Sequence, residues 1–289
     1  MPGVQISAVI NTLDEEHNLP FALRSVKTWA DEIIVVDMHS TDRTVEIARN
    51  FGAKVYFHDP MGYADPARAY AISQATGDWI LILDADEVIP EPLSRKLVEI
   101  ARGATDVDAV KISWINYLLG APLWHTGWGP HQDKHVRFFK RGLVNSSATI
   151  HDFLKPVSGA RIFEIPYQEG CAIVHFNYVD ISQFIEKLNR YTTIEAQQAM
   201  ERGERAGSFQ SLLKAAKEFL SRYFKAQGYR DGWRGFYLSA LMCFYRIVVA
   251  AKLQELYRSG PREVVESQYR SEAEKLVSEY CKVPSHDAT

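Results

Sequence analysis

Gly77-Asp78-Trp79-Ile80-Leu81-Ile82-Leu83-Asp84-Ala85-Asp86-Glu87 is an apolar run that stops abruptly in acids. Five consecutive apolar residues behind a Gly-Asp turn predict a central strand buried on both faces. Alternation along an extended chain puts residues i and i+2 on one side, so Asp84 and Asp86 are expected to face the same ion. Two carboxylates beside a substrate phosphate suit Mg²⁺ or Mn²⁺, and such a cation offsets charge on a departing diphosphate. A strand ending in a solvated acidic turn would leave the same residues, and the triplet alone does not separate the two readings.

The residues upstream supply the context. Ile6 to Ile10, Glu32 to Asp37 and Lys54 to His58 read as strands, alternating with helices at Leu19 to Thr28, Arg43 to Phe51 and Pro66 to Ala75. That beat predicts an α/β chain with a mostly parallel central sheet flanked by helices, whose ligand site lies beyond the carboxyl ends of the strands. Those ends are polar: Asn11-Thr12-Leu13-Asp14-Glu15, then Asp37-Met38-His39-Ser40-Thr41-Asp42, then Asp84 to Glu87. Downstream, a helix runs from Pro92 to Arg102 and a strand from Ala109 to Trp114, before an aromatic, Gly-rich loop from Leu118 to Pro130. Strands at Val136 to Lys140 and Ala172 to Asn177 predict a small mixed second sheet.

From Ser182 to about Arg258 the pattern is helical, with breaks near Gly203 to Gly207 and Gly228 to Gly235. The expected organisation is a catalytic domain over 1–180, a helical extension over 181–260 and a polar tail over 261–289. The 289 residues, 46% of them hydrophobic, suffice for one large domain with an appendage. A net charge of -3 gives no global pull toward nucleic acid, and no nucleic-acid partner is expected. The average hides an uneven distribution, because Ser208 to Arg258 holds nine Lys or Arg against three Asp or Glu. Cys171, Cys243 and Cys281 are scattered and odd in number, which argues against a disulfide framework and for a reducing compartment. The N-terminus has no signal-peptide pattern, so the catalytic part is expected in the cytoplasm.

Over roughly Ile6 to Pro90 the order and spacing of these motifs resemble the glycosyltransferase family 2 of GT-A fold. The matching segments are Asn11 to Leu19, Val35-Val36-Asp37-Met38-His39-Ser40-Thr41-Asp42, Ala67-Arg68-Ala69-Tyr70 and Gly77 to Asp86. The resemblance implies a nucleotide-sugar-binding fold and a metal-dependent transfer of a sugar, with UDP-hexose the expected donor. It also implies that Asp37 accepts a hydrogen bond from the base, that Thr12 and Glu15 line the nucleoside pocket, and that Arg68 reaches the diphosphate. On residue chemistry alone Asp37 could instead cap the next helix. Met38 and Ala69 depart from the acid and the asparagine usual in the family.

Arg137-Phe138-Phe139-Lys140-Arg141-Gly142 followed by Ile150-His151-Asp152 resembles the subgroup that builds lipopolysaccharide core. On that match Asp152 is the catalytic base, His151 its neighbour, and His175 a residue near the metal, while a saccharide or lipid-linked acceptor is implied. Inverting displacement needs such a base on the face opposite the leaving group. Lys187 and Arg190 share one helix face, fit either for phosphate or for solvent. Trp114, Tyr117, Trp124, His125 and Trp128 could stack on sugars or fill a core corner. Phe236 to Ala251 is apolar but short of the ~20 residues of a span, and with the surrounding cations it predicts a helix lying in a membrane interface, peripheral on the inner face. A core or oligomer-contact helix is the competing reading. Two other functions stay open on sequence: sugar-1-phosphate nucleotidyl transfer, against which the acidic first loop speaks, and a non-catalytic sugar- or lipid-binding scaffold.

Overall fold

The computed structural model describes residues 3–60, 65–103, 106–145 and 154–280. The first half runs β1 (Ile6–Thr12), α1 (Leu19–Val26), β2 (Glu32–Asp37), α2 (Thr44–Asn50), β3 (Lys54–Phe57), α3 (Asp65–Gln74) and β4 (Trp79–Asp84). Then follow β5 (Glu87–Val88), α4 (Glu91–Arg102), β6 (Ala109–Leu118), β7 (Ala121–Pro122), β8 (Lys134–Lys140), β9 (Val144–Asn145), β10 (Lys155–Pro156), β11 (Ile162–Glu164) and β12 (Ile173–Tyr178). The chain closes with α5 (Ile181–Glu201), α6 (Ser208–Leu220), a π-helical turn Ser221–Lys225, a 3-10 turn Gly228–Asp231, α7 (Gly232–Ser259) and α8 (Arg262–Tyr280).

The main sheet has the order β3-β2-β1-β4-β8-β6-β12-β5, with β3, β2, β1 and β4 parallel. The expected architecture is present, α/β with a GT-A arrangement, and the later strands form a mixed part joined to the parallel one. Strand β8 inserts antiparallel between β4 and β6, and β12 pairs parallel to β6, so both extend the main sheet. Among the described residues only the antiparallel β9–β10 pair stands apart.

Alternation explains the central layer. Ile6, Ala8, Ile10, Trp79, Leu81 and Leu83 pack with α1 and α4 on one face, while Val9, Ile80 and Ile82 meet Ala71 of α3 and Ala75 just past its end on the other. Both faces are therefore apolar, which is why β4 carries no alternating polar pattern.

Glu32 ties the non-catalytic end of this layer together. Its carboxylate accepts from Ser7 Oγ at 2.5 Å, Lys54 Nζ at 2.6 Å and Thr76 N–H at 2.9 Å, linking β1, β2, β3 and the approach to β4. Ser7 Oγ in turn accepts Gly77 N–H, and a Cβ at Gly77 would sit 2.7 Å from that hydroxyl.

The helices after β12 dock on the far edge of the sheet. Phe184 and Leu188 of α5 and Leu238 and Tyr245 of α7 share a core with Leu118, Leu119 and Leu123 at the β6–β7 turn. Gly235 is required there, since a Cβ would lie 1.8 Å from the Gly228 carbonyl oxygen. Segment Gly228–Ser259 is long and apolar enough to cross a membrane by length and composition. In the fold α7 packs against α5 and α6 on one side, while Phe236, Tyr237, Phe244 and Ile247 remain exposed on the other.

Burial opposes the Glu32 charge, but Lys54, Ser7 and Thr76 outweigh it and lower the pKa from 4.5 to about 2. A depressed carboxylate contributes stability above its unfolded pKa that is lost as pH falls through the folded value. Glu32→Gln should therefore lower the unfolding free energy by about 1–2 kcal/mol at neutral pH. The gap to the parent should close as pH falls from 4.5 toward 2, read by urea titrations at stepped pH.

Candidate active site

The carboxyl ends of β1, β2 and β4 meet β12 and α5 around a cavity of about 1230 Å³. Glu15, Arg68, Asp84, Asp86, His175 and Lys187 all line it, so the fold brings together six of the residues singled out by sequence. Thr12 and Asp37 do not. Asp37 is fully buried and accepts from Thr12 Oγ1 at 3.0 Å, Ser40 Oγ at 2.5 Å and Ser40 N–H at 2.8 Å. Its carboxylate organises the β2–α2 turn through Ser40 rather than capping α2, which begins at Thr44 with Arg43 at its N-cap. The β1–α1 loop is locked to that turn: Thr41 N–H donates to Asp14, Asp14 N–H to Ser40, and Glu15 N–H to Thr44. Asp14 and His39 both take positive φ to permit it. Asp152 and His151 lie outside the described residues.

The acidic triplet is also arranged differently from the expectation of one shared face. Strand β4 ends at Asp84 and the chain turns at Ala85-Asp86, so strand alternation does not extend across the triplet. Asp84 accepts from Arg68 at 2.6 Å and from Arg137 at 3.0 Å, while its own N–H donates to Glu87 Oε2 at 2.8 Å. Glu87 is fully buried, and Arg137 lies 3.4 Å from it with its guanidinium 4.5 Å from the Trp114 ring centroid. Burial disfavours the Asp84 charge, yet the two arginines and His175 hold its pKa far below the usual carboxylate range. Burial and the neighbouring Asp84 push Glu87 upward, with Arg137 opposing them.

Arg137 and Glu87 were not picked out by sequence. Arg137 is the residue skipped where the β6–β8 register shifts, a β-bulge of the kind that re-aims a side chain toward a site. Arg137 Nη1 has no hydrogen-bond partner among the described residues and is buried at the cavity wall. Its place at the head of the Arg137-Phe138-Phe139 motif was the available signal for it. For Glu87 the signal was a third acid directly after the pair.

Asp86 faces His175 across 3.4 Å. His175 sits opposite Asn116 in the β12–β6 ladder, and its Nδ1 lies 2.9 Å from Asn116 Oδ1. The Asn116 amide nitrogen donates to Trp128 O and Asp133 Oδ2, which leaves its oxygen as the acceptor for Nδ1–H. Nε2 of a neutral His175 then presents its lone pair toward Asp86, the second-sphere arrangement typical of metal-binding histidines. Bonds of about 2.1 Å place neighbouring ligand atoms about 3 Å apart, so one carboxylate and one imidazole at this spacing suit Mn²⁺ or Mg²⁺. Among the described residues no group of three or more His, Cys, Asp or Glu converges on one point. Asp86 and His175 would hold the cation, leaving its other positions to phosphate oxygens and water. Burial works against the charged imidazole, but Asp86, Glu87 and Asp84 outweigh it and raise the His175 pKa.

Lys187 extends from α5 with its ammonium 4.8 Å from the Tyr178 ring centroid, and its charge is felt at Glu15. Burial, together with Asp86 and Asp84, raises the Glu15 pKa. Of the aromatic group, Trp114 and Trp128 line the cavity, whereas Trp124 faces outward against Tyr167. The loop that carries them is held by Asp231, which accepts from Trp124 N–H, His125 N–H and Thr126 Oγ1. Asn116→Leu removes the partner that fixes the His175 tautomer, so Mn²⁺ binding measured by calorimetry should weaken about 10–100-fold.

Comparison with known proteins follows the same lines. The chain is 29% identical over 277 residues to an uncharacterized glycosyltransferase of Rickettsia typhi, covering 92% of both chains. It is 26% identical to the lipopolysaccharide core biosynthesis glycosyltransferase LpsC of Rhizobium meliloti, over 92% of this chain and 98% of that one. A solved glucosyl-3-phosphoglycerate synthase of Mycobacterium tuberculosis, in complex with Mn²⁺ and UDP-glucose, matches with a TM-score of 0.43 at 17% identity, over 71% of this chain and 82% of its own. The model of glycosyl transferase family 2 matches residues 7–156, more than half the chain and the whole β1–β8 layer that builds the cavity floor. This chain belongs to glycosyl transferase family 2.

Proposed function

We propose that the enzyme is an inverting, metal-dependent hexosyltransferase that moves a sugar from a nucleotide diphosphate, UDP-hexose, to a saccharide or lipid-linked acceptor of the cell envelope. Residues 1–180 form the catalytic unit and 181–260 the helical extension that walls the acceptor side, with 261–289 a peripheral tail. The carrying observation is the Asp86–His175 pair at 3.4 Å, set in a cavity that also presents Arg68 and Lys187. The similarity to a lipopolysaccharide core biosynthesis enzyme supports the acceptor class. Family membership sets aside the nucleotidyl-transfer and scaffold readings.

In this reading Asp86 and His175 hold the cation, which supplies Lewis-acid stabilisation of the leaving diphosphate. Arg68 and Lys187 add cationic hydrogen-bond donors for phosphate oxygens. Asp84, clamped by Arg68 and Arg137, aims Arg68 and faces the donor sugar from the floor. Glu15 borders the nucleoside end, and the Thr12–Asp37 pair supports it from behind. Asp152 takes the proton from the acceptor hydroxyl as that oxygen attacks the anomeric carbon and the bond to the diphosphate breaks. The enzyme works in the cytoplasm, at the inner face of the membrane where a lipid-linked acceptor is presented.

A screen of nucleotide-sugar hydrolysis with Mn²⁺ should single out a UDP-hexose. UDP should bind more tightly with Mn²⁺ than without it in the parent but not in Asp86→Ala, whose turnover should fall about 100–1000-fold. Asp152→Asn should keep donor binding and lose about 100–10,000-fold in transfer. Metal-independent UDP binding, or normal turnover in Asp152→Asn, overturns the respective assignment.

A further inference from the structure

A second surface lies beside the cavity, on the helices that form its outer wall. Trp233, Tyr237, Phe236, Phe219, Tyr223 and Phe224 form an unbroken chain of ring contacts, with centroid separations from 5.1 to 6.4 Å. Phe224, Trp233 and Tyr237 are each more than half exposed. Leu213 and Leu220 continue the apolar surface along α6 at a spacing of two helical turns. An apolar patch of this extent on a water-exposed face marks an interaction site.

The charges around it have one sign. Lys214, Lys217, Lys225 and Arg230 are exposed and make no ion pair among the described residues. The nearby carboxylates are turned inward: Glu218 pairs with Arg222 and Arg246, and Asp231 accepts from the 124–126 loop. Arg222 and Arg234 likewise point inward, donating to the Thr126 and Leu119 carbonyls. What remains outside is aromatic and basic. Trp and Tyr place an apolar body and a polar tip at the level of lipid headgroups, and lysine ammonium groups pair with anionic lipid.

We infer that the surface of α6, the π-helical turn and the first turns of α7 docks on an anionic phospholipid bilayer. The partner is the membrane surface rather than its interior. Helix α7 does not cross it, because Tyr245 and Arg246 of the same helix line the aqueous cavity and Lys252 is held by Asn189, Thr192 and Thr193 of α5. Arg222 belongs to the π-helical turn and also lines the cavity, so docking sets the mouth beside the lipid. The inference does not depend on the donor or the base assigned above.

Sedimentation of the full chain with phosphatidylglycerol-containing vesicles, against phosphatidylcholine alone, tests it. The chain should partition onto the anionic vesicles only, and added salt should release it. At about a fivefold contribution per lysine, the Lys214→Glu, Lys217→Glu, Lys225→Glu variant should lose at least about 100-fold in partitioning. Phe224→Ser with Trp233→Ser should lose binding while keeping the parent's rate of donor hydrolysis without vesicles. Equal binding to neutral vesicles, indifference to these substitutions, or a concentration-dependent dimer abolished by Phe224→Ser with Trp233→Ser, would each overturn the inference.

Discussion

A half-buried carboxylate at the end of a buried strand is the constraint around which this molecule is arranged. Desolvating an ion costs several kcal/mol even after relaxation, and the charge persists only if partners compensate it. Asp84 obtains them from α3 and β8, which deliver Arg68 and Arg137 from opposite directions. Glu87 adds a fully buried acid to the same group, and Trp114 covers the Arg137 guanidinium. The network thus joins a helix of one face, an antiparallel strand of the other half and the β4 end. It makes the cavity floor stiff, which is what a site that holds a sugar in line for attack requires.

The first hundred residues were nearly transparent to sequence reasoning because their periodicities are local. Strands β1 to β4 and helices α1 to α4 fall where the patterns place them. What the patterns leave open depends on partners far along the chain or on turns that no periodicity announces. Val136 to Lys140 has the pattern of a strand, but nothing in it says that β4 is its neighbour. A turn begins after Asp84, and a two-residue alternation argument assumes that the strand continues to Asp86. Asp37 carries a family motif, and the sequence does not show that Thr12 and Ser40 donate three hydrogen bonds to its carboxylate.

The helical extension is coupled to the site by a polar latch rather than by apolar packing alone. Asp231 closes the 3-10 turn before α7 and receives three donors from the 124–126 loop, while Arg222 covers Trp128. The Asp-Gly-x-x-Gly pattern at 231–235 follows from this: the acid is the latch, and Gly235 permits the close approach of Gly228. Movement of these helices would carry the tryptophan wall of the cavity with them.

Strand β6 serves as a common ruler for the two halves of the site. Its first half sets the register of β8, and with it the bulge at Arg137, while its second half sets β12 and the Asn116–His175 pair. A single inserted or deleted residue within Ala109 to Asn116 would swap inward and outward positions and replace Asn116 by Ile115 or Tyr117 beside His175. Length variation among descendants of this gene should therefore accumulate in the connections on either side of β6 and be purged within it.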